Sequence, residues 1–143
     1  MAKWYEKKKN ESDYLLSKEN GQAAVLELLE FYGVEMEDEK GSAENGMEML
    51  CDYYRRGLLE NRQDEKLGFC VVQHLSSKQD LIYREMKGRD RLVHGRYDLK
   101  TQYDEKANAI LGKLCGLGED VIMSLMRDDR KAAVLLATVF FAV

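Results

Sequence analysis

Arg89, Asp90 and His94 stand within one short stretch, Gly88-Arg89-Asp90-Arg91-Leu92-Val93-His94-Gly95. Their side-chain types are those that RNA cleavage without a metal would need. A neutral imidazole near pH 7 can take a proton from a ribose 2′-hydroxyl or give one to the leaving oxygen. A guanidinium can grip a phosphate through two parallel hydrogen bonds and stabilise the charge that grows on it. Asp90 could orient the His94 ring, because residues four apart share a face of an α-helix. Arg89 and His94 are five apart and do not line up on an ideal helix. Arg89 would have to sit at a helix start or a distortion for both to reach one phosphate.

The surroundings of this stretch are basic. Between positions 84 and 100 lie Arg84, Lys87, Arg89, Arg91, Arg96 and Lys100 against Glu85, Asp90 and Asp98. Six positive minus three negative charges leave +3 locally, in a chain whose formal net charge is -4. The acidic balance argues against a protein that coats nucleic acid through bulk electrostatics, but it leaves room for a local anion site. Lys87, Arg91, Arg96 and Tyr97 are the candidate RNA-binding residues around the trio.

The stretch resembles the active-site signature of the HEPN ribonuclease family. That signature is Arg-x4–6-His, usually with a polar residue after the arginine and apolar residues before the histidine. The matching residues are Arg89, Asp90, Leu92-Val93 and His94, with Gly95 behind. The resemblance implies an α-helical bundle of about this size and a homodimer in which two motifs share a cleft. It also implies metal-independent endoribonuclease activity, in some members as a toxin or defence effector held by an antitoxin. In one toxin subgroup a tyrosine two residues after the histidine is the site where a partner enzyme attaches nucleotides. Here that position is Arg96, and Tyr97 stands one residue further on.

Other chemistry is sparse. Cys51, Cys70 and Cys115 lie far apart with no CxxC spacing, so a zinc site is not expected and reduced thiols in a cytoplasmic protein are. No metal and no cofactor is called for. His74 reads as a core or boundary histidine, with no acidic or cysteine partner at ligand spacing. In the run Tyr53-Tyr54-Arg55-Arg56, Tyr54 is expected inside and the arginines in water. The lysine-rich start, Met1 to Asn10, is not a signal peptide, and Trp4 and Tyr5 could dock it onto the rest. The apolar run Ala132 to Val143 is too short for the roughly 20 residues that span a bilayer. It reads as a buried terminal helix or a dimer face.

The elements that must position the trio read as helical. The 143 residues include no proline, which removes the commonest helix breaker. One domain over 1–143 is expected, with 1–18 as a candidate loosely docked arm. A first helix runs from about Asn20 to Tyr32 through Ala24, Val25, Leu28 and Leu29, with Gly33 placed to end it. After a charged loop at Glu35 to Lys40, Ser42 can cap a second, with Met47, Leu50, Cys51, Tyr54 and Leu58 as its stripe. Asp64 can cap a third with Leu67, Cys70, Val71 and Leu75 inward. Ser76 or Ser77 can start a fourth through Leu81, Ile82 and Met86. Tyr103 to Cys115 is periodic and ends at Gly116. A short piece from Glu119 to Met126 and a last helix from Arg130 follow. The sum is an all-α bundle of five to seven helices. A rival local reading makes Leu81–Met86 and Arg91–Leu99 two strands.

Two further function classes stand beside the ribonuclease. One is a non-catalytic helical adaptor or inhibitor protein of a phage or mobile element, docking on a protein partner. The other is a nucleic-acid binder that uses the basic island without chemistry. The expected partners are therefore RNA or an acidic protein, and no membrane.

Overall fold

The computed structural model describes residues 14–34, 42–98 and 100–143; the side chains of 42–45 and of His94 lie outside the described part. The elements in chain order are α1 (Lys18–Tyr32), α2 (Ser42–Arg55), β1 (Leu59–Asp64), β2 (Gly68–His74), β3 (Asp80–Tyr83), a 3-10 segment (Gly88–Gly95), α3 (Tyr103–Cys115), α4 (Glu119–Met123) and α5 (Arg127–Phe141). The three strands form one antiparallel sheet in the order β1-β2-β3. The molecule is thus mixed α/β, which overturns the expected all-α bundle. The two helices expected from Asp64 and from Ser76 or Ser77 through Met86 give way to these strands and the chain that follows them.

The physical reason lies in Asp64 and in the run that follows it. Asp64 does accept backbone N–H groups, as its expected capping role required, but they belong to Lys66 (2.8 Å) and Leu67 (2.9 Å) of a tight turn. A short acceptor side chain serves a turn as readily as a helix start. Gly68, at φ 73°, then takes the left-handed conformation that lets the chain reverse into β2. From Phe69 to Gln73 β2 is buried without interruption. A central strand buried on both faces shows no alternation, and Leu67, Cys70 and Val71 imitate helical spacing. Cross-strand pairing runs from Leu59↔Gln73 to Asp64↔Gly68 on one side and from Val71↔Tyr83 to His74↔Asp80 on the other. The rival strand at Leu81–Met86 is half present, as β3, but its neighbour is β2; Arg91 to Gly95 belongs to the 3-10 segment.

Elsewhere the helices fall where the apolar periodicity puts them. Ser17 caps α1 by accepting the N–H of Asn20, and Gly33, at φ 64°, closes it. Helix α3 spans Tyr103–Cys115 and is ended by Gly116 at φ 75°. The C-terminal run is a core helix: Ala132, Ala133, Leu136, Ala137, Val139 and Phe140 of α5 are buried. They pack with Leu28 and Val25 of α1, Leu50 and Tyr54 of α2, Val71 and Tyr83 of the sheet, and Ile110 and Leu111 of α3. The inner sheet face is tied to α5 by a buried relay. The Tyr83 hydroxyl donates to Gln73 Oε1 (2.7 Å), and Gln73 Nε2 donates to the Asp129 carbonyl (2.7 Å). Asp129 in turn accepts from the backbone and hydroxyl of Ser76. Among the described residues no helix is long and apolar enough to cross a membrane.

The described part of the candidate arm is firmly held. The Leu15 and Leu16 amides donate to the Arg55 carbonyl, and the Tyr14 hydroxyl donates to Asp52. Residues 1–13 lie outside the described residues, as does the charged loop at 35–41.

Candidate functional site

The chain entering the candidate site is held from two sides. Leaving β3, the Arg84 amide donates to the Leu114 carbonyl of α3 (3.1 Å). Two residues on, the Met86 amide donates to the Tyr32 hydroxyl of α1 (3.1 Å). Burial pushes the Tyr32 phenol up to about 12, so it stays neutral and available as this acceptor. The polypeptide then turns into the 3-10 segment, which replaces the α-helix on which Asp90 and His94 were expected to share a face.

A 3-10 helix has three residues per turn, so positions i and i+3 eclipse. The segment therefore has three edges. Asp90 and Val93 occupy the inner edge, and both are buried. Arg89, Leu92 and Gly95 occupy a second edge, and all three are exposed. Gly88, Arg91 and His94 share the third by backbone register. The side chain of His94 lies outside the described residues. Arg89 and His94 fall on different edges of the segment, and so do Asp90 and His94.

Asp90 is the best-defined member of the trio, and its bonds are architectural. Its side chain has 0% exposure. Oδ2 accepts from Arg84 Nη1 (2.7 Å) and from the Lys87 amide (2.8 Å); Oδ1 accepts from Arg84 Nη2 (2.9 Å) and faces Lys113 Nζ at 3.4 Å. The paired Arg84 bonds, aided by the Lys87 amide, hold the Asp90 carboxyl well below the usual carboxylate range. The same bonds raise the Arg84 guanidinium. Asp90 is thus an ionised staple that joins the end of β3, the start of the 3-10 segment and α3. The sequence placed Arg84 in the basic island; in the structure it is spent on Asp90. Lys113 lies outside that island in sequence and reaches Asp90 only through the packing of α3.

The remaining basic residues form an outward rim. Lys87, Arg89, Arg91 and Arg96 are all exposed, and Leu92, on the same edge as Arg89, keeps 64% of its surface open. Tyr97 is half-buried against the core. Beside the rim lies a shallow cleft of about 310 Å³, floored by Val93, Ala109 and Gly112 and edged by Arg96, Tyr97 and Lys113. Glu119 also borders it, so its charge is mixed. The structure therefore leaves Lys87, Arg89, Arg91 and Arg96 exposed on and beside the 3-10 segment but buries Asp90 beneath it.

Other singled-out residues resolve plainly. His74 sits on the outer sheet face with Nδ1 2.7 Å from Asp80 and Nε2 3.8 Å from Glu60. Its acidic neighbours come from adjacent strands, which no linear spacing would show. Tyr54 is buried as expected. Arg55 is not in water: it is buried, its Nε donates to the Leu16 carbonyl, and its guanidinium lies 3.8 Å from the Tyr14 ring centre. Arg56 pairs with Asp52 at 3.0 Å. The three cysteines are unpaired. Among the described residues no cluster of His, Cys, Asp and Glu could hold a metal ion. No family model, curated protein or solved structure matches this chain.

Proposed function

We propose that this chain is a non-catalytic adaptor that docks an acidic protein partner on the edge formed by its 3-10 segment. The observation that carries this reading is Leu92, 64% exposed on the same edge as Arg89 and next to Arg91 in the chain, on a segment whose inner edge is pinned by Asp90. Protein interfaces combine a desolvated apolar centre with arginine, and a few such residues supply most of the binding energy. A surface that only tracks phosphates has no use for a leucine held out in water, because its affinity comes from cations. The mixed α/β fold also departs from the all-α bundle that the ribonuclease resemblance implies.

A second reading keeps the ribonuclease. It is supported by the exposure of Arg89 and by the presence of His94 in the same eight-residue segment. In that reading Arg89 holds the phosphate and His94 transfers the proton, without a metal, in a homodimer.

One experiment separates the two. Immobilised protein is offered a Leu-rich peptide of alternating acidic residues and a single-stranded RNA of similar length, with chelator present. The adaptor reading expects peptide binding that weakens at least tenfold in Leu92→Asp and in Arg89→Glu, and intact RNA. Cleavage of the RNA that disappears in both Arg89→Ala and His94→Ala would overturn it in favour of the nuclease.

A further inference from the structure

A second surface shares no residue with the 3-10 segment. Between α1 and the β1–β2 hairpin runs an open groove of about 580 Å³. Its floor is apolar: Phe31 stacks on Phe69 with ring centres 4.2 Å apart, and Leu26 lies beside them. Phe31 and Leu26 keep 41% and 49% of their surface open. Glu27 and Glu30, both exposed, make its rim acidic. Asn61 of β1 fixes the two walls to each other. Its Nδ2 donates to the Ala24 carbonyl and to Glu27 Oε1 of α1, both at 2.9 Å, and its Oδ1 accepts the Tyr54 hydroxyl at 2.6 Å. A site held open in this way needs little reordering when a ligand enters.

The groove also meets a strand edge. Strand β1 is an outer strand of the sheet, and its Gln63 lines the groove. The His74 amide donates to the Leu58 carbonyl (2.9 Å), which sets the phase of the β1–β2 ladder. Antiparallel pairs alternate between bonded and unbonded. Glu60 and Arg62 therefore bond to β2, while Asn61 and Gln63 turn their backbone N–H and C=O away from it. Among the described residues no backbone group meets them there. Such an edge accepts an added strand, whose backbone supplies affinity and whose alternate side chains supply specificity. We infer that the groove takes an extended basic peptide of a partner protein. The peptide adds to β1 as a fourth strand, sets an aromatic side chain on the Leu26–Phe31–Phe69 floor and turns lysines or arginines to Glu27 and Glu30. Charge selects this occupant, because carboxylates at the rim repel an acidic peptide and attract a basic one. The inference goes beyond the adaptor reading: it gives the chain a second docking site, of opposite charge preference to the first.

The probe is a dye-labelled peptide, Thr-Lys-Thr-Tyr-Thr-Lys-Thr, titrated with the full chain and followed by anisotropy. Its charge-reversed counterpart is Thr-Glu-Thr-Tyr-Thr-Glu-Thr. Saturable binding of the basic peptide is expected, at least about tenfold tighter than that of the acidic one. Leu26→Asp and Glu30→Lys should each weaken it by at least about tenfold. Both positions are exposed, and an unchanged circular-dichroism melt verifies that each variant folds. Strand addition has its own readout. Methylating every second peptide amide should abolish binding in one phase and leave it in the other, because only alternate amides face β1. The inference is overturned by no saturable binding, by equal affinity for the two peptides, by binding that survives both variants, or by equal effects in the two methylation phases. A concentration-dependent dimer that Glu30→Lys dissolves would also overturn it, since the groove would then hold a second copy.

Discussion

Asp90 shows how one buried carboxylate can be committed to structure while its neighbours face outward. Its bonds to Arg84 and the Lys87 amide come from the chain just before it, and Lys113 comes from α3. Removing one partner of an enclosed ion pair leaves the other charge uncompensated, at a cost of about 3–5 kcal/mol. The Arg84 side chain keeps 22% exposure, so water screens part of that, and Asp90→Asn is expected to cost about 2–3 kcal/mol in urea unfolding at pH 7. The pH dependence has a definite sign. The folded-state pKa of Asp90 is depressed, so its contribution is complete above the unfolded value near ~3.9. It is lost as the pH falls from there through the folded value. Wild-type stability should therefore drop more steeply below about pH 4 than that of Asp90→Asn. Parallel curves for the two proteins would contradict the staple. Arg89→Ala, on the outer edge, should change stability by less than ~0.5 kcal/mol.

At the scale of elements, the tightest constraint near the rim is the approach of α4 to α3. A Cβ placed on Gly112 would lie 2.5 Å from the Gly118 carbonyl carbon and 2.7 Å from the Glu119 nitrogen, both backbone atoms. Neither can step aside as a flexible side chain would. Gly112→Ala is expected to cost about 1–3 kcal/mol through overpacking, more than the ~1 kcal/mol alanine contributes as a helix former. Its thermal midpoint should fall, and a rise would show that the two helices are not held at this distance. The β1–β2 hairpin has a different logic. Its turn is set locally by Asp64 and Gly68, whereas β3 is tied in through Tyr83 and Gln73 to Asp129 of α5, far along the chain. Tyr83→Phe should lower stability by about 1–2 kcal/mol, because the Gln73 acceptor is then left unpaired in the core.

Over the whole molecule, the charge distribution decides how a partner is met. A net charge of -4 repels nucleic acid at long range, while Lys87, Arg89, Arg91 and Arg96 are exposed cations on and beside the 3-10 segment. Binding to an acidic peptide through this edge should weaken only moderately from ~50 to ~200 mM salt, because exposed charges are screened while the Leu92 contact is not. A loss of about a thousandfold or more over the same range would point instead to counterion release from a phosphate backbone. The core lies behind this edge and includes Val93 of the segment. Phe140 is fully buried among Tyr32 and Tyr83, and Phe140→Ala is expected to cost about 3–5 kcal/mol.

Periodicity and caps in the sequence alone determined most helices. Gly33 ends α1 and Gly116 ends α3, because glycine can take a positive φ without strain. The basic surface of Lys87, Arg89, Arg91 and Arg96 was likewise legible, since exposure is the default for charged side chains. The residues from 59 to 83 were not legible. A strand buried on both faces carries no period of two, and Asp64 makes the same bonds in a turn as at a helix start. Nor was the role of Asp90. Its neighbours in sequence suggested a catalytic helper on an α-helix, but the bend after β3 turns Arg84 back onto it and Lys113 reaches it from α3. Only tertiary packing brings those charges to one carboxylate. The resulting pins on a 3-10 segment hold Asp90 and Val93 inside while Arg89 and Leu92 face outward.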